Sequence, residues 1–133
     1  MTDIGRTTVE QLLAEARSRL RRLTPHEARA AAQAGALLID IRSDTQRECD
    51  GVVPGSRFIA RNVFEWRCDP SSEWRDPEVT SKPERQLIVM CNEGYQSSLA
   101  AEVLQRFGFT DATDMIGGFH AWRASGFEVR PGD

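Results

Sequence analysis

Apolar and polar residues alternate along the chain with two periods, one typical of helices and the other typical of buried strands. Apolar residues at helical spacing predict helices over residues 7–23, 24–34, 97–107 and 119–124. Short apolar runs bounded by glycine, proline or charged residues predict strands over residues 36–39, 57–60, 87–90 and 112–116. Between residues 61 and 86 the prolines break any long element, and we expect only a turn or two of helix that begins at Asn62.

The first two predicted helices start with capping signals. Thr7 with Glu10, and Thr24 with Pro25 and Glu27, have the spacing of a capping box. We expect the arginines in the second half of the first helix to form a solvated face that suits the C-terminal end of the helix dipole. A docking patch for an acidic partner is the alternative interpretation, without further support in the sequence; these arginines are Arg17, Arg19, Arg21 and Arg22.

Strands that alternate with helices, and that are apolar on both faces, predict the α/β fold class with a parallel sheet. The 133 residues are enough for one domain, because domains commonly contain about 100–150 residues. The sequence shows no internal repeat, low-complexity tract or interdomain linker. We therefore expect one hydrophobic core.

Composition narrows the range of functions. Hydrophobic residues make up 40% and charged residues 28%, as in ordinary globular proteins. The net charge of −3 disfavours nucleic-acid and anionic-membrane partners, because both require a cationic surface. The longest apolar stretch, residues 30–39, is far shorter than the roughly 20 residues that cross a membrane. No secretion signal is visible at the start of the sequence, so we expect a cytoplasmic protein.

The cysteines point to thiol chemistry rather than to a structural role. Cys49, Cys68 and Cys91 are widely spaced and contain no Cys-x-x-Cys pair, and only His26 and His120 are available to complete a zinc site. We therefore expect neither a disulfide framework nor a metal site. We interpret Cys49 and Cys68 as incidental or structural and both histidines as surface residues, with a role for His120 near the site left open.

Cys91 is the cysteine whose sequence context favours a reactive thiol. It follows a predicted strand directly, and residues 92–96 then lead into a predicted helix. Successive backbone amides in a tight loop, together with a helix N-terminus, favour an anion such as a thiolate. Gly94 lets such a loop curl without a steric penalty. The alternative is a buried structural thiol, because cysteine is among the most buried residue types.

Three sequence blocks carry a resemblance to a known family. The first is Asp40 and Arg42 at a strand end, followed by the turn at residues 54–56; the second is residues 88–98 around Cys91; the third is residues 116–122 with Gly117 and Gly118. In this order and spacing the chain resembles the single-domain rhodanese family, the thiosulfate sulfurtransferase-like proteins, over about residues 23–129.

The resemblance implies a rhodanese-like α/β fold with a central, mostly parallel sheet of about five strands and helices on both faces. We expect an additional N-terminal amphipathic helix, so that residues 1–22 form an extension and residues 23–130 form the domain. Asp40 and Arg42 are expected to support the loop as a structural ion pair.

The resemblance also implies a mechanism. The Cys91 thiolate takes the outer sulfur of a donor such as thiosulfate as a persulfide, and an acceptor nucleophile then removes it. Small sulfur donors and acceptors, with a protein thiol as a further candidate acceptor, are the implied partners, and no cofactor or metal is required. The implied substrate-binding residues are those of the loop, Asn92, Glu93, Gly94, Tyr95, Gln96, Ser97 and Ser98.

The sequence departs from this family at Gln96, where many active members have an arginine that holds an anionic donor through charge-assisted hydrogen bonds. Thiosulfate is then a poor donor, or Arg42, Arg61 or Arg67 supplies the missing charge. The related phosphatase branch has an arginine six residues after its cysteine, and Ser97 at that position argues against phosphoryl transfer.

Two further hypotheses remain beside the sulfurtransferase. A non-catalytic rhodanese-like module that binds a protein partner or regulates it is favoured by Glu93 and Gln96 and disfavoured by the retained Cys91. A redox-sensing thiol ranks third, because it needs a resolving cysteine near Cys91 and the sequence shows none nearby.

Overall fold

A parallel sheet organises the part of the chain that the structure, a computed structural model, describes: residues 5–132. Its strands are β1 (Leu37–Asp40), β2 (Arg57–Phe58), β3 (Leu87–Met90) and β4 (Ala112–Asp114). The helices are α1 (Val9–Ser18), α2 (Pro25–Gln33), α3 (Asp44–Asp50), α4 (Phe64–Cys68), α5 (Pro77–Thr80), α6 (Gln96–Arg106) and α7 (Gly118–Ala124). The predicted α/β class with a parallel sheet is confirmed.

The strands lie in the order β2-β1-β3-β4, and every neighbouring pair is parallel. Asp40 pairs with Met90, and Val89 pairs with Asp114. Parallel pairing brings the carboxyl ends of all four strands to one edge, where loops of an α/β sheet form binding sites. Cys91 leaves β3 at this edge.

Alternation along β3 builds two hydrophobic layers. Leu87 and Val89 point to the face covered by α4, α5 and α6, and Ile88 and Met90 point to the face covered by α2 and α7. All four side chains are fully buried. The sheet is therefore rigidly held on both faces, as its continuous apolar strands predict.

The expected count of about five strands is wrong for the described residues, where the sheet has four. Leu23 takes the place of an edge strand beside β4 and forms a single parallel bridge with Met115. It cannot extend into a strand, because Thr24 caps α2 directly afterwards in a capping box with Glu27. That predicted box is confirmed.

The first helix is shorter than the predicted 7–23, and the predicted Thr7–Glu10 box is wrong. Thr8 and Gln11 form the box instead: the Gln11 amide donates to Thr8 Oγ1 at 3.1 Å, and the Thr8 amide donates to Gln11 Oε1 at 2.8 Å. The helix ends at Ser18 and packs on α6. The chain beyond it turns toward the sheet, because Leu23 bonds to the edge of β4.

None of the helices in residues 5–132 has both the length and the apolar character needed to cross a membrane. The division into an extension of residues 1–22 and a domain of residues 23–130 stays a prediction.

A buried carboxylate ties the proline-rich segment to the sheet. Asp76 caps α5 and is 1% exposed, and it accepts hydrogen bonds from Arg57 Nε at 2.7 Å and Nη2 at 3.0 Å. Burial raises the pKa of Asp76, but the hydrogen bonds from Arg57 and from the Glu78 amide, with the charge of Arg57, outweigh burial and lower that pKa overall.

We predict that Asp76→Asn lowers the free energy of unfolding by about 2 kcal/mol near neutral pH, because it removes hydrogen bonds to the charged carboxylate. A carboxylate with a lowered pKa stabilises the fold above its ordinary value of 3.8, and this contribution disappears as pH falls through the lowered value. Urea unfolding near neutral and at strongly acidic pH measures the difference. Glu73→Gln, at an exposed position in the same segment, is the control; an equal decrease at both pH values contradicts the account.

Candidate active site

Cys91 occupies the carboxyl end of β3, directly before a loop that ends where α6 begins at Gln96. The residue is 5% exposed and belongs to the core layer beneath α6. The Gly94 amide donates a hydrogen bond to Cys91 Sγ at 3.1 Å. The loop therefore folds back over the sulfur with a backbone donor directed at it.

Helix α7 holds the first part of the loop from outside. The amide of Phe119 donates to the Cys91 carbonyl at 2.9 Å, and the amide of His120 donates to the Asn92 carbonyl at 3.1 Å. Gly118 allows this approach, because a Cβ there would collide with the Cys91 carbonyl oxygen. These contacts account for the glycine at the first position of α7.

Two arginines bind the carbonyl oxygen of Gly94. Arg17 Nη2 and Arg22 Nη2 donate to the Gly94 carbonyl oxygen at 2.8 and 2.9 Å. The expectation that all four arginines near α1 form a solvated face is thus wrong for these two. Arg17 lies on the side of α1 that faces α6, where it also contacts Ser98, and Arg22 follows the chain after α1 toward the sheet. Arg19 and Arg21 are exposed, as expected.

The carbonyl contacts determine how the loop amides point. In a planar trans peptide, the carbonyl of one residue and the amide of the next point in opposite directions. Because the Cys91, Asn92 and Gly94 carbonyls bond to α7 and to the arginines, the amides of residues 92, 93 and 95 point away from those partners. Within residues 5–132 these amides donate to no backbone acceptor, and neither do those of residues 96 and 97 at the start of α6. The loop can therefore offer several donors to one anion.

Gly94 gives the loop its curl. Its φ of +91° lies in the region that favours glycine, and a Cβ there would lie 2.8 Å from the Gly117 amide nitrogen. The predicted need for glycine at this position is confirmed.

Asp114, at the end of β4, anchors the start of α6, and sequence reasoning missed it. Ser97 Oγ and Ser98 Oγ donate to its Oδ2 at 2.7 and 2.8 Å, and Arg22 forms an ion pair with it at 2.9 Å. The side chains of Asp114, Ser97 and Ser98 are all buried. The two serine hydroxyls thus face Asp114, and the assignment of both serines to substrate binding stays a prediction.

A cavity of ≈ 510 Å³ opens beside the loop at the carboxyl edge of the sheet. Ile41, which follows β1 next to β3, lines it together with Phe58, Arg61 and Gln96. Glu93 and Tyr95 in the loop are exposed. The cavity is large enough for a small anion and lies at the edge where Cys91 leaves its strand.

Of the three arginines considered as substitutes for the missing loop arginine, Arg61 best suits the task. Arg61 lines the cavity, as Gln96 does, and it pairs with Glu65 at 3.0 Å while its side chain stays 28% exposed. Arg67 instead donates to the Trp74 carbonyl at 2.8 Å. Arg42 is bound to the carboxylate of Asp40.

Asp40 and Arg42 form a fully buried ion pair. Arg42 Nε and Nη2 donate to the two carboxylate oxygens of Asp40 at 3.1 and 2.9 Å, and Nη2 also donates to the Gly51 carbonyl at 2.8 Å. Arg47 donates to the same carboxylate at 3.3 Å. The pair links β1 to the chain after α3, and its predicted support of the Cys91 loop stays a prediction.

The remaining cysteines and histidines occupy different environments. Cys49 is exposed, whereas Cys68 is buried, and burial raises the pKa of the Cys68 thiol to about 12. His26 packs edge-on against Phe127. His120 is exposed, but its Nε2 lies 3.2 Å from Asn92 Nδ2 in the loop. Among residues 5–132, no cluster of histidine, cysteine and carboxylate side chains could hold a metal ion.

Comparison with known proteins identifies relatives of this fold. Residues 24–125 match the family described as "Rhodanese-like domain". A thiosulfate sulfurtransferase GlpE from Stutzerimonas stutzeri is 31% identical over 103 residues, which cover 77% of this chain and 84% of that protein.

Solved structures with a similar fold also align with this chain. A Rhodopseudomonas palustris protein of unknown function, described as a possible tyrosine phosphatase, aligns with a TM-score of 0.86 and 30% identity over 98% of this chain and 99% of its own. A human single-domain sulfurtransferase aligns with a TM-score of 0.64 and 22% identity over 77% of this chain and 95% of its own, which shows the shared fold.

We predict that iodoacetamide modifies Cys49 and Cys91 in the folded protein at mildly alkaline pH and leaves Cys68 unmodified until urea is added. Cys68 is protected because it is buried and its thiol, with a pKa of about 12, stays protonated. Peptide mass spectrometry before and after unfolding measures each site, with Cys49→Ser as a control for the exposed thiol. A Cys91 that resists modification as completely as Cys68 contradicts an accessible site.

Proposed function

The chain belongs to the rhodanese-like family, and from that membership we propose that it is a sulfurtransferase in which Cys91 carries the transferred sulfur as a persulfide. The observation that carries the proposal is the Gly94 amide directed at Cys91 Sγ within a loop whose carbonyls bond elsewhere. The GlpE relatives, named thiosulfate sulfurtransferases, support the reaction class.

The reaction has two steps. The Cys91 thiolate attacks the outer sulfur of thiosulfate; a new sulfur–sulfur bond forms, the donor's sulfur–sulfur bond breaks, and sulfite leaves with the electron pair. An acceptor such as cyanide or a thiolate then attacks the outer sulfur of the persulfide, and the electron pair returns to Cys91 Sγ. Each transfer is a displacement at sulfur, and ping-pong kinetics follow.

The loop supplies the stabilisation that these steps require. Negative charge resides on the thiolate first and on the outer persulfide sulfur afterwards. Fixed amide donors stabilise such charge without reorganising during the reaction. In this proposal the amides of residues 92–97 bind the persulfide, with Gly94 in contact with Sγ from the start. Asp40 and Arg42 support the loop from β1.

Arg61 supplies the positive charge for the anionic head of the donor in this proposal. Gln96 is neutral, and Arg61 lines the cavity with a side chain that is 28% exposed, whereas Arg42, which also lines it, is buried in its pair with Asp40. A guanidinium can hold an oxyanion with parallel charge-assisted hydrogen bonds. Its pairing with Glu65 weakens the site, so donors other than thiosulfate remain strong candidates.

The phosphatase description of the Rhodopseudomonas palustris relative does not suit this chain. A transferring phosphoryl group requires concentrated positive charge. The loop residues 92–97 contain no lysine or arginine, and both arginines that contact the loop bond to the outer side of Gly94.

A non-catalytic binding module is the second candidate, favoured by the 5% exposure of Cys91 and by the neutral Gln96. It predicts partner binding that is unaffected by Cys91→Ser. Small sulfur donors and acceptors, a protein thiol acceptor and a cytoplasmic location stay predictions.

We predict that incubation with thiosulfate or a low-molecular-weight persulfide adds one sulfur atom to Cys91, and that Cys91→Ala abolishes sulfur transfer while the protein stays folded. Intact-protein and peptide mass spectrometry detect the adduct, and the melting temperature reports folding. Cys49→Ala, which removes an exposed thiol distant from Cys91 in the sequence, should transfer sulfur at the wild-type rate. An unmodified Cys91 after treatment with a range of donors would falsify the persulfide proposal.

We predict that Arg61→Gln raises the thiosulfate concentration for half-maximal rate about ten-fold, and that Gln96→Arg lowers it. A ten-fold change corresponds to about 1.4 kcal/mol, which is the order of one charge-assisted hydrogen bond to the donor. Cyanide-dependent thiocyanate formation measures the rate, and Arg130→Gln, an exposed arginine outside the cavity, is the control. If the rate of Arg61→Gln depends on thiosulfate concentration as that of the control does, Arg61 does not bind the donor.

A further inference from the structure

We propose that Arg17 and Arg22 are positioning residues that fix the peptide between Gly94 and Tyr95 so that its amide faces the sulfur of Cys91. The inference rests on the proposed function and deepens it, because it gives the segment before the family domain a task in the same site. The matched family region begins at residue 24, so both arginines lie outside it.

The geometry shows two guanidinium groups that converge on one backbone oxygen. Arg17 Nη2 and Arg22 Nη2 approach the Gly94 carbonyl oxygen at 2.8 and 2.9 Å. A single carbonyl has two lone pairs, and both are thereby engaged by charged donors. Such bonds are stronger than those between neutral groups.

Each arginine is itself held in place by a second contact. Arg17 Nε donates to Ser98 Oγ at 3.0 Å. Arg22 Nε donates to Asp114 Oδ1 at 2.9 Å, and the carboxylate of Asp114 is fully buried. These second contacts hold both guanidinium groups at the outer side of the loop.

Because the peptide is planar, holding the Gly94 carbonyl also fixes the direction of the Tyr95 amide. The Gly94 carbonyl and the Tyr95 amide point in opposite directions in one plane. With the carbonyl held on the outer side, the Tyr95 amide points inward, beside the Gly94 amide that already contacts Cys91 Sγ. Glycine gives this peptide little resistance to rotation, and a rotated peptide would present a carbonyl oxygen to the anionic sulfur.

The test follows the pH profile of Cys91 alkylation and needs no sulfur donor. In a Cys49→Ser background, neutral iodoacetamide reports on Cys91, because Cys68 is completely inaccessible and burial raises the pKa of its thiol to about 12. The plateau of the rate at high pH reports access to the sulfur, and the midpoint of the profile reports how well the loop stabilises the thiolate. The variants are Arg17→Gln, Arg22→Gln and the double variant, with Arg21→Gln, exposed on the same segment, as the matched control.

About 1 M potassium chloride shortens the Debye length to about 3 Å and so reduces the through-space effect of removing two positive charges. We expect the midpoint of the double variant to lie about one pH unit above that of the wild type, because a rotated peptide turns a carbonyl oxygen instead of an amide toward the anion. Arg17→Gln, which leaves the Arg22–Asp114 ion pair intact, should shift it by a smaller amount. Arg21→Gln should coincide with the wild type.

Coinciding midpoints for the wild type and the double variant, or an equal shift in Arg21→Gln, would overturn the proposal. If melting curves show that the double variant is unfolded, the midpoint of Arg17→Gln serves as the test. A midpoint equal to that of the wild type would then overturn the proposal. A wild type that follows the expected profile but takes sulfur from no donor refutes the sulfurtransferase proposal alone.

Discussion

A peptide group carries its donor and its acceptor on opposite edges, and this constraint organises the whole site. A loop that turns several amides toward one sulfur must turn its carbonyls outward, and each outward carbonyl needs a partner. Helix α7 provides partners for the carbonyls of Cys91 and Asn92, and two arginines provide them for Gly94. The donors for an anion thus depend on elements far from the loop in sequence.

The rest of the fold places those partners. The parallel sheet sets the ends of β3 and β4 side by side, so that Asp114 lies under the start of α6 and holds both of its serines. Gly118 lets α7 approach the loop backbone closely. The chain after α1 bonds to the edge of β4 and brings Arg22 to the loop. In our proposal this segment contributes to chemistry rather than only to stability.

Strong local patterns made much of the fold predictable, because the apolar runs around Leu37 and Leu87 allow little except buried strands. The position of Cys91 at a strand end followed from the same pattern. Helix α3 was not predicted, since no apolar face marks it. Asp114 and the inward turn of Arg17 and Arg22 depend on contacts between residues 72 to 92 positions apart, which local spacing does not encode. An acidic residue inside a predicted strand was the available signal for Asp114.

In the proposed mechanism, the backbone amides of the loop hold a sulfur anion on Cys91. A crystal structure of the protein after treatment with a sulfane-sulfur donor tests it most directly. We expect one additional sulfur atom bonded to Cys91 Sγ and within hydrogen-bonding distance of amides from residues 92–97. Electron density for an unmodified thiol, or for a persulfide whose outer sulfur faces carbonyl oxygens or aliphatic side chains instead, would contradict it.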